Sequence, residues 1–460
     1  MAFASGLVLV VFLLLRPMEL WPEVAQLHSL EVLTTITAIG IVGETFSVQR
    51  TPGASPQLVS LSAFVAWACV ATVARLGLGD GLKALSGTAL GPMFMVLVVL
   101  AFPQVARLRA TALVLLGCCA FVSVVAIHQG AQPRECIELH ELPMTGTVRE
   151  VEPIPEGREC ESPRQCEAEG APESDYLCER VGLFRTMSTQ GRVRWRGQLD
   201  DPNEVAVLLG ALLPFMFMFA SGARGLGRIF ALCLLFGLAT WAIVLTQSRG
   251  GQLVFGAVIV FVLVRRFGWW SALLGLAATA LLVMSSWRAD ADAESSSLER
   301  IEILSEGLQM LKSHPILGVG VGQFAGENPL NMAAHNSYLL IAAEVGIPGY
   351  LLWCGLVWMT VKIPVAISLR PPPGLDAGLV RFAEALAVSV LGLHVGIFFL
   401  SFAYKHVFFV WLGLAGALYG AVREAHPDYR VGVTWRDVVG VCSLAAVALV
   451  IVRVVALTAR

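Results

Sequence analysis

Charge is scarce in this 460-residue chain: Asp, Glu, Lys and Arg make up 14% of it, against 56% hydrophobic residues. A soluble domain carries roughly 25% charge, so a soluble enzyme built on one large core is excluded. A basic excess is missing as well. The formal net charge is -2, and a nucleic-acid partner needs a basic face, so none is expected. The N-terminal MAFASGLVLVVFLLLRP has no basic residue ahead of its apolar run and no small-residue cleavage site. It reads as a first membrane segment and not as a cleaved signal peptide. No Gly-Lys-Ser or Gly-Lys-Thr follows the glycine-rich HPILGVGVG, which excludes a phosphate-binding P-loop. Without a βαβ context it is no dinucleotide fingerprint either. Internal repeats are absent, which counts against a secondary transporter or lipid flippase.

What remains is apolar sequence in blocks near the length of about 20 residues that a membrane-spanning helix needs. Runs lie near 3–15, 30–47, 57–74, 84–105, 108–128, 203–221, 228–246, 252–264, 268–287, 336–361, 380–403, 405–422 and 437–457. The runs at 3–15 and 252–264 are short, so the expectation is an all-α transmembrane bundle of twelve to fourteen spans. The chain divides into N-terminal spans (1–128), a cysteine-containing loop (129–202) and spans with an SRGG turn (203–287). A second loop (288–335) and C-terminal spans (336–460) complete it. In the second loop, Ile301, Leu304, Leu308 and Leu311 recur at helical spacing and predict an amphipathic helix that lies on the membrane or caps the bundle.

Six cysteines (Cys69, Cys118, Cys119, Cys233, Cys354, Cys442) lie in apolar runs, where Cys acts as a small hydrophobe. The other four, Cys136, Cys160, Cys166 and Cys178, share the first loop, with no CxxC pair and no zinc-finger spacing. They read as two disulfides in an oxidising compartment, with zinc as the rival. With the N-terminus in the cytoplasm, thirteen Lys and Arg fall in short inside loops and seven in short outside ones. That bias is the positive-inside pattern, and it puts both long loops, with any chemistry they host, on the periplasmic face.

Three stretches carry polar residues that could do chemistry. In RVRWRGQLDDPNEVAVLLG, Asp200 or Asp201 caps a helix with Pro202 at its first turn. Arg192, Arg194 and Arg196 crowd the outer membrane border there, an anion site if they converge on the helix start. In TQSRGGQLVFGA, Arg249 stands between two spans on the outer face, where it is either an interfacial anchor or a residue facing a cavity. The two glycines after it allow a tight turn and a close approach of backbone to ligand. In HNSYLLIAAEVGIPG, His335 opens a span with Asn336 beside it, and Gly346 falls eleven residues on, on the same helix face. Glu344 in that apolar run needs a partner of its own.

SRGG, the Arg300-x(13)-HPILGVGVGQF block and HNSYLLIAAEVGIPG together resemble the O-antigen ligase and polymerase superfamily of bacterial membrane proteins. The likeness covers roughly 196–350, along with the span count and a long loop before the His-Asn helix. The cysteine loop is not part of it and is assigned only the role of a disulfide-stapled lid or acceptor platform. The resemblance implies a metal-independent, inverting glycosyltransferase of the bacterial inner membrane that needs no cofactor. Its donor is a polyprenyl-diphosphate-linked glycan, and its acceptor is another glycan or lipid A–core, with a flippase and a chain-length regulator as further partners. No compact His/Asp/Glu set for a divalent ion is evident, and arginine forks can stabilise a diphosphate instead.

On that basis Arg249 and Arg196 are expected on the diphosphate, with Arg300 as a third cation unless it pairs with Glu299, Glu302 or Glu306. His335 is expected as general base on the acceptor hydroxyl or as donor to the leaving phosphate. Asn336 orients His335 or a sugar. Asn203, His314 and Lys405 complete the substrate-binding candidates, with His406 behind them. The unusual loop leans the reading towards a polymerase. A ligase, a protein acceptor, a transporter and a non-catalytic scaffold are the competing readings.

Overall fold

A backbone in hydrocarbon must satisfy its own N–H and C=O groups, so each apolar run coils into a helix. The computed structural model describes residues 1–48, 55–141, 151–166, 176–196, 199–220, 225–285 and 290–457. Its N-terminal helices are α1 (Ala2–Leu15), α2 (Pro22–Gln26), α3 (Ser29–Val48), α4 (Pro56–Leu76), α5 (Leu78–Thr88), α6 (Leu90–Ala101) and α7 (Val105–Ala131). A small sheet of β1 (Arg134–Glu141), β2 (Val151–Glu159) and β3 (Tyr176–Arg180) follows. Then come α8 (Pro202–Leu212), α9 (Pro214–Ala220), α10 (Leu226–Leu245), α11 (Arg249–Phe267), α12 (Ser271–Ser285) and α13 (Asp290–Ser313). The chain closes with α14 (Phe324–Glu327), α15 (Ser337–Leu369), α16 (Ala377–Gly396), α17 (His406–Ala425) and α18 (Trp435–Leu457).

Among the described residues ten helices are long and apolar enough to cross a membrane, and the bent pair α5–α6 would make one more. The shorter α1 and α12 are also apolar. The protein is a polytopic all-α bundle. The 252–264 run, short by sequence, grows to 19 residues in α11 because the polar ends, Arg249 and Arg265–Arg266, are helical too. Of the 268–287 run, the described residues form the 15-residue α12. Arg50, Arg224 and Arg460, which enter the charge count, lie outside the described residues.

α15 and α17 are buried along most of their length, whereas α3, α10 and α18 expose most of theirs, as lipid-facing helices do. Small residues bring α8 and α11 together. A Cβ on Gly251 would lie 2.1 Å from that of Ala206, so the second glycine of SRGG serves helix contact.

α15 is one segment by hydropathy but is broken at Gly346, whose φ is 69°. Pro348 has no N–H to give back to the preceding turn, so carbonyls are left open there. The HPILGVGVGQF segment fills the gap. The N–H groups of Val319 and Gly320 donate to the carbonyls of Ala343 and Glu344, each at 2.9 Å. The Ile347 N–H donates to the Pro315 carbonyl at 2.8 Å, and Trp67 Nε1 on α4 to the Val345 carbonyl at 2.9 Å. Glu344 is buried, and its Oε1 accepts the Phe324 N–H at 3.1 Å. A Cβ at Gly346 would sit 2.1 Å from the Ile316 carbonyl oxygen. The glycine-rich motif is thus the mate of a broken helix, irregular backbone buried in protein as a membrane interior requires.

Helix α13 packs against α15 and α18. Its buried edge runs Ile303, Gly307, Met310, one position ahead of Leu304, Leu308 and Leu311, which are half-buried. It caps the bundle.

The sheet is antiparallel in the order β2-β1-β3, with Cys136 opposite Cys178. The disulfides nonetheless join Cys136 to Cys166 and Cys160 to Cys178, with Cα–Cα distances of 5.4 and 6.0 Å. Both close on Tyr176 in a small apolar cluster of their own.

Candidate active site at converging helix starts

The polar residues of the three sequence stretches meet where α8, α11, α15 and α17 begin. Asp201 caps α8 by accepting the Asn203 N–H at 2.7 Å, and Ser248 caps α11 by accepting the Gly251 N–H at 3.0 Å. Asn336 caps α15: its Oδ1 accepts the Leu339 N–H at 2.8 Å while its Nδ2 donates to the Phe398 carbonyl at 2.8 Å. Asn336 therefore holds the 397–402 segment against the start of α15. Ser337 Oγ adds to this by donating to the Leu400 carbonyl at 2.6 Å and accepting the Phe402 N–H at 2.8 Å.

That segment forms one wall of a cavity of about 210 Å³. Asn203 and Val207 of α8, Arg249 to Gly251 and Leu253 of α11, Arg300 of α13, Phe399 and Leu400 line it. Arg249 is the first residue of α11 and is exposed. Among the described residues neither Arg249 nor Arg300 makes a hydrogen bond or ion pair, and Arg300 does not pair with Glu299, Glu302 or Glu306. Two guanidinium groups and a helix N-terminus thus face one small cavity, an arrangement suited to an anion.

His335 lies just before the α15 cap, with φ 49° in the left-handed region, and its N–H donates to Ser401 Oγ at 2.9 Å. It stands outside the helix, and the helix breaks at Gly346. The shared face expected from helical spacing therefore does not exist. Burial lowers the pKa of the His335 imidazole, the nearby Arg300 charge lowers it further, and Asp201 opposes them. Among the described residues its ring has no hydrogen-bond partner.

The structure does not bring Arg196 to the cavity. Its guanidinium donates to the carbonyls of Glu19 at 3.1 Å and of Phe184 and Arg185 at 2.8 Å each. Burial lowers its pKa, the Glu19 carboxylate raises it, and Arg194 lowers it. His314 is also elsewhere, at the end of α13, with its Nδ1 3.1 Å from Ser313 Oγ. Lys405 reaches across to α8 and pairs with Glu204 at 3.0 Å, which leaves it spent on a nearly buried carboxylate. His406 packs edge-on to Phe94. Sequence reasoning missed Glu204, Phe399 and Leu400. A carboxylate one residue past Asn203 was the only hint of the first, and nothing local announced the other two.

Among the described residues, Cys136, Cys160 and Cys166 are the one group close enough to hold a metal ion, and all three are in disulfides. The expectation of no DxD motif for a metal needs correction: Asp290 and Asp292 form an Asp-Ala-Asp pair, whose side chains lie outside the described residues.

Residues 209–354 match the family model described as O-Antigen ligase. That match, over about a third of the chain, supports a likeness to the O-antigen ligase and polymerase superfamily. The superfamily match takes in Arg249, Arg300, His314, His335 and Asn336, and leaves out Asn203, Arg196, Lys405 and the cysteine sheet. No curated protein matches the chain. Together with the ten membrane-length helices, the match supports a multi-pass membrane protein of glycan processing, of a family whose substrates are lipid-linked glycans and their acceptors.

Proposed function

We propose that this protein is an inner-membrane glycosyltransferase that takes glycan repeat units from a polyprenyl diphosphate at the periplasmic face and polymerises them. The observation that carries this is the pair of unspent guanidiniums, Arg249 and Arg300, on one cavity, with His335 outside its lining but near enough for its imidazole to feel the Arg300 charge. At about 210 Å³, the cavity is smaller than the roughly 300–1,000 Å³ of pockets that enclose a whole ligand. It suits a diphosphate head, with the glycan outside. The disulfide-bonded sheet and the bias of basic residues support the periplasmic assignment.

The reaction that fits is displacement at the anomeric carbon. The acceptor hydroxyl oxygen bonds to that carbon as the bond to the diphosphate oxygen breaks, with inversion. The hydroxyl proton passes to His335, whose depressed pKa keeps it a neutral base at neutral pH. The electron pair leaves with the diphosphate, where Arg249, Arg300 and the free N–H groups of α11 stabilise the growing charge. Arginine does there what a divalent ion would otherwise do, so the reading is metal-independent. Arg196, tied to three carbonyls, serves the site by holding the loop before α8 and not by touching phosphate.

A surface-glycan gel profile of a deletion strain tests this, complemented with wild type, Arg249→Ala or His335→Ala at equal expression. Transfer restored by wild type and by neither variant supports the reading. Loss only of the ladder above one repeat means polymerase. Loss of all lipid A–linked repeats with accumulation of lipid-linked polymer means ligase. Full restoration by both variants sinks the assignment and moves a polysaccharide or lipid transporter ahead. A flippase and a chain-length regulator are the partners expected around a polymerase.

A further inference from the structure

The cysteine-stapled sheet reaches the cavity through one side chain. Arg192 is 8% exposed. Its Nε donates to the Thr246 carbonyl at 2.9 Å and its Nη2 to Asn203 Oδ1 at 3.0 Å. Thr246 caps the C-terminus of α10, three residues before Arg249, and Asn203 lines the cavity from α8. One guanidinium therefore ties Asn203 on the cavity wall to the turn that leads into the Arg249 wall.

Arg192 is itself held from the sheet. The turn that delivers it is closed by Thr189 N–H to the Arg192 carbonyl at 2.9 Å and Arg192 N–H to the Thr189 carbonyl at 3.0 Å. Glu179 on β3 clamps that turn: its carboxylate accepts from Ser188 Oγ, from the Gln190 N–H at 2.5 Å and from the Gly191 N–H at 3.0 Å. The residue before Glu179 is Cys178, bonded to Cys160. An unbroken series of bonds thus runs from the disulfide through β3, Glu179 and the 188–191 turn to Arg192, Asn203 and the turn before Arg249. The neighbouring arginines do not share this path. Arg194 donates to the Met187 and Asp200 carbonyls, and Arg196 to those of Glu19, Phe184 and Arg185.

We propose that Arg192 is the positioning residue of the transferase cavity and that the disulfide-stapled sheet sets its place. The inference rests on the reading of that cavity as the donor diphosphate site. Arg192 touches no reacting group. It fixes the separation of Asn203 from the backbone that carries Arg249, and a displacement of about 1 Å in such a frame can lower the rate roughly a hundredfold. The Cys160–Cys178 bond makes that frame depend on an oxidising surrounding. With the bond reduced, β3 loses its tie to Cys160 and the Glu179 clamp loosens.

The test uses the full chain in nanodiscs, with steady-state turnover of a lipid-linked oligosaccharide donor and hydrogen–deuterium exchange over 246–252. Arg192→Met is expected to lower kcat roughly a hundredfold, to leave KM for the acceptor unchanged, and to raise exchange at 246–252 but not in α17. Arg192→Lys, which can restore one of the two hydrogen bonds, falls between. Glu179→Gln and wild type reduced by dithiothreitol, neither touching the cavity wall, should move both readouts the same way by less. If Arg192→Met does not accumulate, these last two carry the test. Unchanged exchange and turnover in Arg192→Lys and Glu179→Gln would overturn the positioning role. Unchanged values on full reduction would overturn the part given to the disulfide. Should Arg249→Ala keep full turnover, the donor-site reading fails, while the exchange response still reports whether Arg192 braces the 246–252 turn.

Discussion

The arginines of the stretch before α8 and those of the cavity differ in what their charge is spent on. Arg192, Arg194 and Arg196 come within five residues of one another, and each donates to backbone carbonyls. Arg249 and Arg300 come from separate helices, meet at one cavity, and have no protein partner among the described residues. A guanidinium carries five donors, and one whose donors are satisfied by the fold has few left for a ligand. Crowding in sequence therefore marked arginines bound to carbonyls, and scattering marked those at the candidate site.

The comparison can be broken most sharply at His335 and Arg249. His335→Ala should lower transfer by roughly 10²–10⁴, the usual worth of a general base. Arg249→Ala should cost roughly 10²–10³, as loss of one donor to a developing negative charge does. Both are read as initial rates on lipid-linked donor, and Arg249→Lys, lacking the fork, should recover only part. Rates within a few-fold of wild type for Arg249→Ala would erase the difference between the two groups.

The pH profile sharpens the same point. Protonation removes the base form of His335, and its folded pKa lies below the usual 6.5 through burial first, then Arg300, against Asp201. Activity should thus hold down to below pH 6.5 and fall as pH drops through the depressed value. Arg300→Ala removes a positive neighbour and should shift the acid limb to higher pH, whereas Asp201→Asn should shift it lower. An acid limb that does not move in either variant would detach His335 from the cavity.

Smaller effects fall on stability. Gly346→Ala places a Cβ 2.1 Å from the Ile316 carbonyl oxygen at φ 69° and should cost at least about 1–3 kcal/mol of backbone strain alone. Thermal unfolding in detergent would measure it. Arg196→Ala should cost about 1–3 kcal/mol, because its hydrogen bonds hold the loop, and should leave kcat per folded molecule near wild type. A large fall in kcat at unchanged Tm would return Arg196 to the phosphate.

The sequence by itself determined that the chain is a helical membrane bundle, because hydrophobic length and the need to satisfy backbone groups leave no other choice. It also marked Arg249, Arg300 and His335, since charged or titratable groups at span borders stand out against apolar surroundings. What only the tertiary structure decided is which cations are free. That depends on carbonyls and carboxylates far along the chain: Glu19 for Arg196, Thr246 for Arg192, and Glu204, 201 residues from Lys405. The break in α15 belongs to the same class. Pro348 and Gly346 permit it, but the segment that fills it, 315–320, is placed there by packing. Local chemistry fixes what a residue can offer. Contacts between distant parts of the chain fix what it has left to give.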